Sequence, residues 1–163
     1  MPPRIEPQNE PMKSTLIVVA DLACLKAYTL EDNHFNRTPR LELLEHFTSA
    51  DAHGKLVEKV SDSAGRFPRA TGASNNPGIM SDGERHNIEL ERRKRLVRQL
   101  ANRLNTLGRN QAVERVLLAA SKEINHQLLD GLDAQVRDKV YKNLPLDLTK
   151  LERGEILGHF SAP

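Results

Sequence analysis

Apolar side chains fall into short runs separated by polar, proline- and glycine-bearing stretches, and the spacing inside each run predicts its element. Thr15 to Asp21 (TLIVVAD) is nearly continuous and rich in β-branched residues, the pattern of a strand buried on both faces. Leu22 and Ala23 make a tight connection to a second strand, Cys24 to Leu30. Leu41 to Phe47 (LELLEHF) reads as a third, after the polar and proline breakers of Glu31 to Arg40. Three strands in succession predict an antiparallel meander. A short helix is expected near Ala52 to Val60.

Ser81 with Glu84 matches a capping box, so a long helix is expected from about Asp82. Its apolar positions are Ile88, Leu96, Val97, Leu100, Ala101, Leu104 and Leu107. From Leu96 onward they keep the three-four spacing of one buried face. Gly108 is expected to stop the helix. Val113 to Ala120 (VERVLLAA) reads as a central strand, Ser121 as the N-cap of a helix through Leu129, and Asp133 to Asp138 as a further helix leading into a strand at Lys139 to Leu144. Thr149 and Glu152 repeat the capping-box pattern and open a last helix to about Leu157. The order predicts an α/β fold: one layered domain, a mixed sheet with helices packed on it. Residues 1–13 hold four prolines and no period; they are expected to be a flexible tail, leaving 14–160 as the domain with a mobile loop at about 68–83.

Composition narrows the picture. The chain has 163 residues and a formal net charge of +2, so a cationic segment acts as a local field and not a global one. Cys24 is the single cysteine, which rules out an intrachain disulfide and a thiolate cluster for metal. The N-terminus lacks the apolar core of a secretory signal, and no run approaches the roughly 18 apolar residues of a membrane span. The expectation is a cytoplasmic protein with no membrane partner. Tryptophan is absent and aromatics make up 4%, which weakens models built on base stacking.

The candidate chemistry is electrostatic. Arg92, Arg93, Lys94, Arg95, Arg98 and Arg103 surround the apolar stripe of the long helix, and Arg66 and Arg69 stand on the segment before it. Arginines along a ridge suit RNA phosphates. The alternative is a solvated helix paired with Glu89 and Glu91. Between the two arginine groups lies a glycine- and asparagine-rich stretch, Ala70 to Gly83, whose expected tip is Gly72, Asn75, Asn76 and Gly78; it suits a probing loop or plain disorder. Asp21, at the end of a central strand, raises a metal-dependent nuclease as a further alternative. That reading needs clustered carboxylates. Glu42 and Glu45 are expected on opposite faces of their strand, so only one of them can join Asp21. The structural alternative for Asp21 is a hairpin turn residue. The six histidines are scattered and no HExxH occurs; His86 reads as a surface residue. Cys24 reads as a small buried side chain. No P-loop, dinucleotide fingerprint or Ser-His-Asp context is present, so no catalytic residue, metal site or cofactor is expected.

Four stretches carry a family resemblance: VVADLACLKAY from Val18, SDSAGR from Ser61 to Arg66, VLLAASKEINHQLL from Val116, and Asp147-Leu148-Thr149-Lys150. In order and spacing the chain resembles, from about Lys13 to its end, the host attachment protein family, bacterial relatives of the archaeo-eukaryotic class-1 peptide-chain release factors. The resemblance implies the fold of those factors' middle domain, a layered α/β structure related to ribonuclease H with about five strands. It also places the loop. In release factors the segment before the long helix carries a Gly-Gly-Gln motif that helps water cleave peptidyl-tRNA. Here Ala70 to Gly83 has no Gly-Gly pair and no glutamine, and Asn75 and Asn76 offer amides on a shorter arm. The resemblance therefore implies a non-enzymatic RNA- or ribosome-binding protein, its partner the ribosome or ribosomal or transfer RNA. A role in host attachment through a protein partner is the alternative.

Overall fold

Five strands form one mixed sheet, and the most apolar of them lies at its centre. The computed structural model describes residues 14–31, 39–50 and 81–161. β1 (Ser14–Ala20) pairs antiparallel with β2 (Cys24–Glu31), which pairs antiparallel with β3 (Arg40–Thr48). On its other edge β1 runs parallel to β4 (Val113–Ala120), and β4 runs parallel to β5 (Val140–Leu144). The strand order is β3-β2-β1-β4-β5. Leu16 to Ala20 are wholly buried, because β1 has a strand on each edge and helices over each face. That is why its sequence is continuous and not alternating.

Two cores lie on opposite sides of the sheet. On one, Leu16, Val18, Leu25 and Leu118 meet the helices α1 (Asp82–Gly108), α2 (Asn125–Asp130) and α3 (Ala134–Lys139) through Leu100, Leu104, Leu128 and Val136. On the other, Ile17, Val19, Tyr28 and Leu41 meet α4 (Arg153–Ser161) through Ile156 and Phe160. Beside this second core, Arg153 reaches across to the Leu41 carbonyl at 3.3 Å.

α1 begins as its sequence predicts: the Ser81 hydroxyl accepts from the Glu84 N–H at 3.3 Å, with Asp82 and Glu84 in the first turn. Asp82 and Gly83 are thus helical and do not belong to the expected 68–83 loop. Ile88 departs from the expected stripe. It is 37% exposed, because eight residues before Leu96 a helix of 3.6 residues per turn carries it away from the Val97 side. Gly108 does not act as a left-handed stop. It is the last helical residue, followed by Arg109 in right-handed conformation, and a Cβ built on it would lie 2.6 Å from Val136 Cγ1. Its role is close packing of α1 on α3.

Four further expectations are corrected by tertiary contacts. β3 carries one extra residue where β2 passes from Ala27 to Tyr28, since Ala27 faces Glu45 and Tyr28 faces Leu43. Leu44 is the bulged residue and is 54% exposed. The bulge puts Glu42, opposite Thr29, and Glu45, opposite Ala27, on the same face rather than opposite ones. Ser121 caps no helix with its side chain: a turn intervenes and α2 starts at Asn125. Thr149 does not open α4, because its hydroxyl donates to Asp147 at 2.6 Å and bonds Asp21 at 3.2 Å. α4 starts at Arg153, with the Glu155 carboxylate accepting from the Glu152 N–H at 3.1 Å. Cys24 is half-buried and belongs to neither core. The expected tail at 1–13, the short helix near Ala52 to Val60 and the loop up to residue 80 lie outside the described residues.

Two glycines separate packing from propensity. Gly108→Ala should destabilise the fold by about 1–2 kcal/mol, since the buried, β-branched Val136 cannot turn aside. Gly154→Ala, in α4 with nothing within 4 Å of the new Cβ, should be neutral or stabilising by up to about 1 kcal/mol. Urea unfolding midpoints at constant m measure both; equal shifts would refute the packing role of Gly108.

Candidate nucleic-acid interface

α1 is a half-buried rod. Its buried side chains begin at Leu96, and every residue from Ser81 to Glu91 is exposed. Asp82 to Arg95 therefore carries about 21 Å of helix that contributes nothing to the core. The cause is local: only from Leu96 on does the sequence supply the apolar spacing that seats a helix on the sheet.

The cations divide into two groups. Arg93 lies in line with the buried stripe and its guanidinium donates to Glu123 Oε2, in the turn between β4 and α2, at 2.8 Å. The pair is a surface one, with side chains 37% and 70% exposed, worth at most about 1 kcal/mol. Arg103, three turns further on, lies over the Phe47 ring at 4.8 Å and bonds Glu45 at 2.9 Å. Lys94 pairs with Glu91 at 3.0 Å, one helical turn back. Arg92, Arg95 and Arg98 form the second group. They follow one another at i,i+3 around the solvent side, and none makes an ion pair with a described residue. Arg93 and Arg103 are thus paired with carboxylates from other elements, and Arg92, Arg95 and Arg98 have no ion-pair partner among the described residues. Glu89 forms no pair with these arginines. His86 is exposed in the first part of α1, as a surface residue. Arg66, Arg69, Gly72, Asn75, Asn76 and Gly78 lie outside the described residues.

Asn102 and Gln127, which the sequence did not single out, stand with Arg98 around a groove of about 250 Å³ between α1 and α2. Asn102 follows Arg98 by four residues and is legible as a helical neighbour. Gln127 comes from α2, and no local signal brings it to α1; the approach of the two helices does, where a Cβ on Gly131 would lie 2.9 Å from the Ala101 Cβ.

The second candidate lies where the parallel strands β1 and β4 end together. Asp21, Ser121, Lys122, Glu123 and Asp147 line a cavity of about 430 Å³ there. Asp21 has structural work: one carboxylate oxygen accepts the N–H groups of Ala23 and Cys24, each at 2.7 Å, and the other bonds the Thr149 hydroxyl at 3.2 Å. It closes the β1–β2 turn and ties it to the 147–149 segment, which Lys26 also holds through the Thr149 carbonyl at 2.7 Å. Among the described residues no group of three or more metal-ligating side chains converges. Among those residues the nuclease reading finds no carboxylate cluster around Asp21. Among them too, no helix is long and apolar enough to cross a membrane.

Comparison with known proteins agrees with the sequence resemblance at the level of family. Residues 16–160 match the model of a family described as "Protein required for attachment to host cells". No curated protein matches. Among solved structures, the chain is similar to an archaeal translation termination factor at 10% identity and a TM-score of 0.39, over 90% of this chain and 37% of that one. The chain thus spans well under half of that factor's length.

Asp21 and its neighbour Cys24 give two measurable expectations. Asp21→Ala strands two turn N–H groups and should lower stability by about 2–3 kcal/mol in urea unfolding, while Asp21→Asn, which keeps an acceptor, should cost less. Equal, wild-type stability of both would contradict the turn role. Burial first, and then the Asp21 carboxylate, push the Cys24 thiol above the usual cysteine range. Less thiolate at a given pH means that Ellman's reagent should react more slowly with folded than with urea-unfolded protein at pH 8, with the gap narrowing as pH rises.

Proposed function

The chain belongs to the family of proteins required for attachment to host cells, and we propose that this member is a non-enzymatic, cytoplasmic RNA-binding protein. It docks on the ribosome, or on ribosomal or transfer RNA, through the outer face of α1. The observation that carries the reading is the line of half-buried Arg92 and exposed Arg95 and Arg98, unpaired with any described residue, on a helix whose first half lies outside the core. Guanidinium groups at successive i,i+3 positions track a phosphate backbone, and their planar forks suit phosphate oxygens. Such contacts require no fixed motif, only cations along a ridge. Lys94 supplements the line, its ion pair with Glu91 being exposed and exchangeable. Arg93, held by Glu123, acts in setting the direction of α1 as much as in binding. Arg66, Arg69 and the segment with Gly72, Asn75, Asn76 and Gly78 precede α1 in the chain and are assigned to the same contact. The segment's lack of Gly-Gly-Gln supports binding without peptide release, and the resemblance to release factors makes the ribosome the first polyanion to test.

The family's description favours a second reading, in which the protein affects attachment indirectly through a protein partner. Absence of ribosome association, together with protein recovered outside the cytosol on fractionation, would give that reading precedence.

Co-sedimentation with purified bacterial ribosomes across a salt series tests the first. Wild-type binding should weaken with salt, and Arg92→Glu/Arg95→Glu should reduce the logarithmic salt slope by about 2 and abolish binding near physiological salt. Wild type that stays in the supernatant at low salt would overturn the reading.

A further inference from the structure

We infer that the groove between α1 and α2 is a subsite for one nucleotide of a single-stranded RNA, with the phosphate on Lys94 and Arg98 and the base edge on Asn102 and Gln127. The inference rests on the reading of α1 as an RNA-binding helix and gives that helix a defined pocket. The groove is about 250 Å³, with Val97 and Ala101 as its floor and Lys94, Arg98, Asn102 and Gln127 around it. Gly131 completes it, and only a residue without a side chain lets the end of α2 come this close to Ala101.

Charge distinguishes this groove from two larger hollows among the described residues. The cavity of about 650 Å³ between β3 and α1 is lined by Arg103 and by the Glu45 that neutralises it. The one at the strand ends sets Asp21, Glu123 and Asp147 against a single lysine, Lys122. Here two cations line the walls and no carboxylate does; Glu91, which pairs with Lys94 through an exposed contact, stands outside the lining, and Arg98 has no ion-pair partner among the described residues. The Arg98, Asn102 and Gln127 side chains make no hydrogen bond or ion pair with a described residue, and all three are exposed along this one groove. Lys94 supplies a compact charge and Arg98 a planar fork, the two cationic ways of holding a phosphate. Each carboxamide offers donors and an acceptor at fixed separation, which is what a base edge presents. The apolar floor suits the face of a base. The base must be splayed out of any helix to enter, which specifies a single strand. Arg95 and Arg92 continue from the groove around α1, so a strand seated here continues onto the arginine line.

Fluorescence anisotropy with a labelled single-stranded RNA oligonucleotide, together with ¹⁵N spectra of the side-chain amides, tests this. Adding RNA to the wild type should shift the Asn102 and Gln127 amide resonances. Gln127→Glu should weaken binding about tenfold, against little change for Gln135→Glu, an exposed α3 position with the same change of charge. The wild-type spectra make the test independent of any folding defect in a variant. Unshifted amides, with Gln127→Glu binding like wild type while Arg92→Glu/Arg95→Glu fails, would overturn the groove and leave the arginine line intact. Shifted amides without ribosome co-sedimentation would keep the groove and remove the ribosome. No oligonucleotide binding at low salt would remove both.

Discussion

The burial of β1 on both faces and both edges is the constraint on which the other elements depend. Five consecutive wholly buried residues, Leu16 to Ala20, need cover above and below and a hydrogen-bonding neighbour on each side. The antiparallel neighbour arrives by a two-residue turn held by Asp21. The parallel neighbour, β4, cannot arrive that way, because a parallel partner requires the chain to travel back along the sheet. α1 makes the last part of that return, and its second half covers the β1 face through Leu100 and Leu104. The stripe that performs this covering starts at Leu96, so the sheet itself determines which half of the helix stays outside and displays its arginines.

Elements defined by their own composition were legible from sequence. β1 and the second half of β4, Val116 to Ala120, are continuous apolar runs, and α1 announces its start through Ser81 and Glu84. The misreadings occurred where a side chain had two suitors. Thr149 has the sequence of a cap, yet its hydroxyl goes to Asp147 and Asp21, the latter 128 residues away in the chain. The Leu43-Leu44 pair breaks the strand alternation, and only the register with β2 shows that Leu44 is the bulged residue, leaving Glu42 and Glu45 on one face. Gly108 carries the usual mark of a helix stop, but its lack of a side chain serves Val136.

The candidate interface was legible as a cluster and not as a surface. Helical periodicity on its own places Arg92, Arg95 and Arg98 away from the apolar stripe. It does not reveal that Arg93 is satisfied by Glu123, thirty positions on, or that Arg103 is stacked on Phe47 from the edge strand. Nor does it bring Gln127 beside Arg98, since that juxtaposition depends on how closely α2 meets Ala101. Local pattern therefore identifies the charges, and tertiary contact decides which of them are free to act.

A helix clamped at one end is also a lever. With Leu96 to Gly108 seated in the core and about 21 Å of rod beyond it, a tilt of about 5° at the clamp sweeps the Ser81 end through roughly 2 Å. Angular precision at the far end is thus set along the seated half, by the close approaches of Gly131 to Ala101 and, at its end, of Gly108 to Val136. Small residues with no charge and no access to a polyanion thereby govern where the exposed N-terminal end of α1 points. Substitutions there would change aim while every arginine stayed in place.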